Sequence, residues 1–184
     1  IPNKTELDLE CKSAILLEAE TGTILYEKNA NEQLRPASVT KVMTLLLIME
    51  HIEAGKIKLT DKVMITDNAA SMGGSQVFLE AGEKYPVEEL LKGVAIASGN
   101  DATVALAEKI AGTEASFVKL MNDKVKELGL KNTNFVNATG LDAENHYSTA
   151  YDMAMMAKEL IKHEKILEYS SIWMDSLRDG KSEL

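Results

Sequence analysis

Ser38 and Lys41 stand three residues apart in Arg35-Pro-Ala-Ser-Val-Thr-Lys-Val-Met-Thr44, a spacing that can join a nucleophile to its base. Residues i and i+3 share one face of a helix, so both side chains can project into one pocket. A serine hydroxyl attacks poorly until a neighbouring base takes its proton. A lysine serves as that base only when neutral, and an ordinary lysine, with a pKa of ~10.4, is almost never neutral near pH 7. Burial and the positive end of a helix both favour the neutral amine. The first turn of a buried helix is therefore a sound place for the pair, and the eight apolar or small residues from Val42 to Met49 predict such a helix.

Spacing alone does not select this pair. About one Ser-x-x-Lys is expected by chance in a chain of this length, and a second copy is present, Ser116-Phe-Val-Lys119. That copy falls in an amphipathic helix pattern whose stripe is Phe117, Leu120, Met121, Val125 and Leu128, which predicts that Ser116 and Lys119 face solvent. Ser38 also has bland readings: serine is a good helix N-cap, and Lys41 could snorkel to the surface.

The bulk numbers narrow the function classes. A length of 184 residues suits one domain or slightly more, and 45% hydrophobic with 27% charged residues describes a globular chain. A net charge of −9 argues against nucleic acid as partner. Cys11 is the single cysteine, so no intrachain disulfide forms. His51, His146 and His163 have no metal-type spacing, and neither a metal nor a cofactor is expected. The Val42–Met49 run is far too short to span a bilayer. The chain opens at Ile1 without a methionine, as a processed or engineered terminus does, so the lack of a signal peptide does not imply a cytoplasmic home.

The elements that must position the pair are legible in outline. Residues 1–10 are polar and expected to be loosely held. Residues 13–19 and 23–27 form β-type runs around Glu20-Thr21-Gly22, a hairpin. A helix is expected from Ala37 or Ser38 to about Ala54, closed by Gly55. Residues 62–66 suggest a short strand, and 71–75 a flexible loop. Helices follow at 87–97 and 101–111, separated by the break Ser98-Gly99-Asn100, then at 114–128 before Gly129. An irregular segment through Asn145 precedes a helix from about Ala150 to His163, in which Met153, Met155 and Met156 are expected to pack.

Ser38-x-x-Lys41 followed some sixty residues later by Ser98-Gly99-Asn100 resembles the first two motifs of the penicillin-recognising serine acyltransferases. The runs 36–44, 92–102 and 140–150 resemble, more narrowly, the low-molecular-mass D-alanyl-D-alanine carboxypeptidases, and the likeness extends from about Lys12 to about His163. The resemblance implies an α+β, penicillin-binding-protein/β-lactamase-like transpeptidase fold, incomplete here: a helical lobe plus the N-terminal β-hairpin of a central antiparallel sheet. It also implies acyl transfer on peptidoglycan stem peptides ending in D-Ala-D-Ala. Ser38 would attack the carbonyl between the two D-alanines, Lys41 would take its proton, and Ser98 and Asn100 would hold the substrate amide and assist proton transfer to the leaving amine. His146 is expected among the substrate-binding residues, although it and Tyr147 could equally be ordinary loop residues. The Ser38 N–H would supply half of an oxyanion hole. Penicillins would acylate Ser38, and the enzyme would work outside the cytoplasm, in the cell envelope, reaching a membrane only through segments absent from this chain.

One departure from the family pattern stands out. A third motif, Lys-Thr-Gly or Lys-Ser-Gly, is expected on a strand beside Ser38. The nearest string, Lys181-Ser182-Glu183, has glutamate where glycine would allow close approach of a ligand. Residues 1–184 are thus expected to be a partial peptidase domain lacking the C-terminal sheet strands and any C-terminal β-domain or membrane anchor, with weak or no turnover and an unpaired hairpin edge. Two other functions remain open at this point. One is a serine β-lactamase, although Leu130 to Asn145 lacks the Glu-x-x-Leu-Asn loop usual there. The other is a non-catalytic module that binds peptidoglycan or another protein.

Overall fold

The computed structural model describes residues 7, 9–172, 176–177 and 182–183. Most of residues 1–10, and Lys181 of the Lys181-Ser182-Glu183 string, lie outside the described residues. The chain opens with the antiparallel hairpin of β1 (Ala14–Leu17) and β2 (Ile24–Lys28), whose register shifts between Leu16 and Leu17. The Glu18 carboxylate closes its turn by accepting from the Thr21 hydroxyl and from the N–H groups of Thr21 and Glu20, which lowers that carboxyl to about 2.

A 3-10 turn over Ala37–Thr40 leads directly into α1 (Lys41–Glu53), and Gly55 follows in a left-handed conformation with φ +68°. Met43 and every residue from Leu46 to Met49 are buried, as a helix apolar nearly all round requires. β3 (Lys62–Met64), α2 (Asp67–Ala70) and β4 (Lys84–Pro86) come next, with β3 and β4 pairing antiparallel. Then follow α3 (Val87–Ala97), α4 (Asn100–Ala111), α5 (Glu114–Glu127), α6 (Ala150–Leu160) and α7 (Glu164–Ser170). Two further strands, β5 (Ser176–Leu177) and β6 (Ser182–Glu183), pair antiparallel.

The core forms around α1, which packs against α6, α4, α5 and α3. Its largest fully buried side chains include Phe117 of α5, Met156 of α6, Leu106 of α4 and Phe135 of the long connection. The first hairpin rests on α6 through β1, and α7 packs on α3, where the Tyr169 hydroxyl donates to Glu88 at 2.7 Å. An isolated bridge from Leu34 to Ser148 draws the connection between α5 and α6 up to the segment before α1, and a second, Asn134 to Tyr147, folds that connection on itself. Among the described residues no helix is long and apolar enough to cross a membrane.

The expected elements are recovered with several differences. The helix expected to run to His163 stops at Leu160, and a separate α7 begins after His163, with Ile166 and Tyr169 on its buried side. Strand β4 and the one-turn α2 were not foreseen, because each is too short to show a period. The 71–75 loop, expected to be flexible, has defined partners, described below. Ser116 and Lys119 are exposed, as expected of a solvated face.

Candidate active site

Ser38 is exposed on the 3-10 turn, while Lys41, the first residue of α1, is only 4% exposed. Serine was expected to open the α-helix; instead the turn before the helix carries it. Side chains at i and i+3 eclipse in a 3-10 turn, so Ser38 and Lys41 still share one face. The Lys41 Nζ donates to the Thr139 carbonyl at 2.8 Å. Burial pulls the Lys41 ammonium down from 10.5 to about 8. A neutral amine that gives one N–H to that carbonyl keeps its lone pair free to accept a proton.

The connection after α5 binds this turn at several points. The Thr40 hydroxyl meets the His146 Nε2 at 2.8 Å, and the Thr44 hydroxyl donates to the Ala138 carbonyl at 2.7 Å. Gly140 has φ +88°, and a Cβ there would lie 1.8 Å from the Ala37 carbonyl oxygen and 3.0 Å from Thr40 Oγ1. Only glycine permits that approach. Ala37 itself is left-handed at φ +47°, so the residue preceding Ser38 is strained.

The second motif occupies the junction of α3 and α4. Ser98 ends α3 in a left-handed conformation with φ +54°; its N–H donates to Val94 at 3.1 Å, and that of Gly99 to Gly93 at 3.0 Å. These bonds form a helix C-terminal motif in which glycine usually occupies the left-handed position. Asn100 starts α4, its Nδ2 donating to the Gly73 carbonyl at 2.7 Å and its backbone N–H to Ser75 at 2.7 Å. The Asn100 Oδ1 is buried and has no hydrogen-bond partner in the protein. A buried amide oxygen so left is costly unless something else donates to it.

One short segment reaches the first motif and the loop that packs on the second. Thr139 receives Lys41 and Gly140 abuts Ala37, while Leu141 and the Asn100 amide both flank Gly74, where an added Cβ would meet them at 3.4 and 2.8 Å. The 139–141 segment thus meets Lys41 and the turn that carries Ser38, while Asn100, with Ser98 in the same turn, holds the loop that Leu141 also flanks. His146 differs from its expected role. It is 4% exposed, and its Nδ1 accepts from the Val136 N–H at 3.0 Å while its Nε2 meets Thr40. With both ring nitrogens engaged inside the protein, it has no polar atom left to offer a substrate.

Sequence reasoning missed the supports. Asp101 is fully buried and accepts from the backbone N–H groups of Val77, Leu79 and Ala102. It clamps the loop on either side of Phe78, which bows outward at φ +57°. An acid in the first turn of α4 was the available signal, because such residues seek N–H groups; its partners 22 and 24 residues away left none.

This arrangement defines a class. The fold is that of the penicillin-binding proteins. Penicillin binding protein 5 from Haemophilus influenzae matches with a TM-score of 0.91 and 36% identity over 95% of this chain and 52% of that one. Penicillin-binding protein D2 from Listeria monocytogenes, in its ampicillin-bound form, matches with a TM-score of 0.84 and 28% identity over 96% and 72%. The chain belongs to the D-alanyl-D-alanine carboxypeptidase family, which its residues 2–181 match. It is 62% identical over 176 residues to the D-alanyl-D-alanine carboxypeptidase DacF of Bacillus subtilis (strain 168), spanning 96% of this chain but 45% of that relative. The chain therefore spans less than half the length of this curated relative.

Proposed function

We propose that the chain carries the acylation machinery of a serine-type D-Ala-D-Ala carboxypeptidase acting on peptidoglycan stem peptides in the cell envelope, outside the cytoplasm. The observation that carries this reading is the buried Lys41 amine, lowered to about 8 and held on Thr139 directly behind the exposed turn of Ser38. Lys41 takes the Ser38 hydroxyl proton as Oγ bonds to the carbonyl carbon between the two D-alanines. The C–N bond then breaks, and the terminal D-alanine leaves with a proton returned by Lys41, with the Ser98 hydroxyl as relay. Water afterwards cleaves the Ser38 ester. The unpartnered Asn100 Oδ1 accepts from the substrate amide, and the Ser38 N–H donates to the developing oxyanion. A β-lactam offers the same kind of carbonyl and acylates Ser38. Family membership supports the acyl-transfer reading over a non-catalytic module. The relatives' names favour a carboxypeptidase over a β-lactamase.

Intact mass and peptide mapping after incubation with a fluorescent penicillin test this. One adduct on Ser38, absent in Lys41→Ala, is the expected result. A folded chain that remains unmodified, or is modified elsewhere, would refute it.

A further inference from the structure

His146 holds the nucleophile turn from its buried side, and its chemistry is fixed by its partners. The Val136 N–H can only donate, so the ring nitrogen it meets at 3.0 Å, Nδ1, must be unprotonated. The proton of the ring is therefore on Nε2, which lies 2.8 Å from the Thr40 hydroxyl and donates to it. Thr40 is fully buried between Ser38 and Lys41, and its hydroxyl also faces the tight Gly140 approach. The ring of Phe135, centred 5.7 Å away, packs beside the imidazole. One connection thus holds the base through Thr139 and the turn of the nucleophile through His146.

We propose that His146 is a positioning residue for the Ser38–Lys41 pair, acting through Thr40 as a neutral Nε2–H donor. This rests on the reading of Ser38 as nucleophile. The turn needs such a restraint, because Ala37 is held at φ +47° and would relax if its neighbours allowed. A protonated ring would point a second N–H at the Val136 N–H and break the strap. The charged groups around the ring are Asp142 on its own connection, Arg35, which is paired with Asp142, and Lys41 beside Thr40. Burial lowers the imidazole below its ordinary range, and Asp142 offsets this in part. The native fold thus prefers neutral His146; the stability it contributes is present above an unfolded pKa of about 6.5 and falls with pH below that.

The test combines ring NMR with acylation kinetics. Long-range 15N spectra of the wild-type chain should show an unprotonated Nδ1, and a protonated Nδ1 overturns the proposal. His146→Ala should slow penicillin acylation of Ser38 on the order of 10- to 100-fold; an unchanged rate overturns it. His146→Gln, whose amide can still donate to Thr40, should recover most of the rate. It should also lose the extra steepness that protonation of the imidazole, lowered by burial, adds on the acid side of wild-type acylation, and retention of that steepness counts against the strap. If His146→Ala does not fold, the tautomer and His146→Gln decide. If wild-type Ser38 is never acylated, the functional reading fails separately. The tautomer then still decides the strap, together with Val136 amide exchange, which His146→Ala should accelerate at pH 7, because alanine offers the Val136 N–H no acceptor.

Discussion

The molecule carries the same Ser-x-x-Lys spacing twice and treats the copies oppositely. Ser116 and Lys119 sit on α5, exposed, with Ser116 taken up by the Thr113 cap at 3.1 Å. Ser38 and Lys41 sit where a 3-10 turn meets a buried helix, with the serine outside and the lysine 4% exposed. Geometry along the chain is nearly shared; the surroundings are not. Lys41 loses water and falls to about 8, and its one described contact is a carbonyl rather than a carboxylate. A nearby acid would have raised it instead, as Glu50 and Glu127 raise Lys124. Burial without a counter-charge makes this lysine easier to deprotonate, as the proposed base must be, and the spacing only aims it.

The largest expected effect tests this contrast directly. Lys41→Ala should lower Ser38 acylation by roughly 10²- to 10⁴-fold, the range of a positioned base, whereas Lys119→Ala should leave it unchanged. Stopped-flow acylation with a fluorescent penicillin measures both. Equal effects would mean that spacing, not burial, confers the role. Next is Gly140→Ala, which places a methyl 1.8 Å from the Ala37 carbonyl at φ +88°. It should cost on the order of 2–3 kcal/mol of stability and displace the Ser38 turn. Gly129, at φ +70° after α5, has nothing within 4 Å of such a methyl. Gly129→Ala should therefore cost only about 1 kcal/mol and spare acylation, as thermal melts beside the same kinetics would show.

How much of this was legible follows the kind of signal each feature leaves. Helices α3 and α5 were bounded closely because Pro86, Gly129 and the apolar stripes mark them. The Ser38–Lys41 spacing and the Ser98-Gly99-Asn100 turn were visible through their motif phrases. Asp101, Thr139, Gly140 and the true place of His146 were not. Each acts through contacts that reach residues 22 to 106 positions away, and such isolated long-range contacts produce no period. His146 misled for a related reason: an imidazole in a polar loop looks available, and only packing shows both its nitrogens in use.

The pH dependence sharpens the contrast between the lysines further. Lys41 stays protonated in the unfolded chain up to about 10.5 but sheds its proton near 8 when folded. Between those values the unfolded state binds more protons, so stability should rise with pH across that window. Lys41→Met, which buries no charge, should melt higher than wild type at pH 7 and lose that advantage towards pH 10; Lys119→Met should show neither. Acylation by the wild type should rise with pH and level off above about 8. A plateau already reached at pH 6 would mean that Lys41 is not the group being titrated.

The smallest expected effect concerns where the chain stores strain. Away from the site, left-handed positions at turns and helix ends are filled by residues that tolerate them: Gly22, Gly55, Gly112 and Gly129, and the asparagines Asn29 and Asn145. At the site the same conformation is imposed on Ala37, Phe78 and Ser98. Ser98 closes α3 where glycine would be the stable choice, so its hydroxyl is retained at a cost in stability. Ser98→Gly should raise unfolding stability by about 1 kcal/mol, read from a urea melt, while slowing acylation because the hydroxyl is gone. Ser116→Gly, the matched change in the first turn of α5, should instead lower stability, since that position is ordinary helix. If Ser98→Gly were destabilising, the hydroxyl would be a structural bond rather than a free group facing substrate, and its place in the proposed proton path would fall with it.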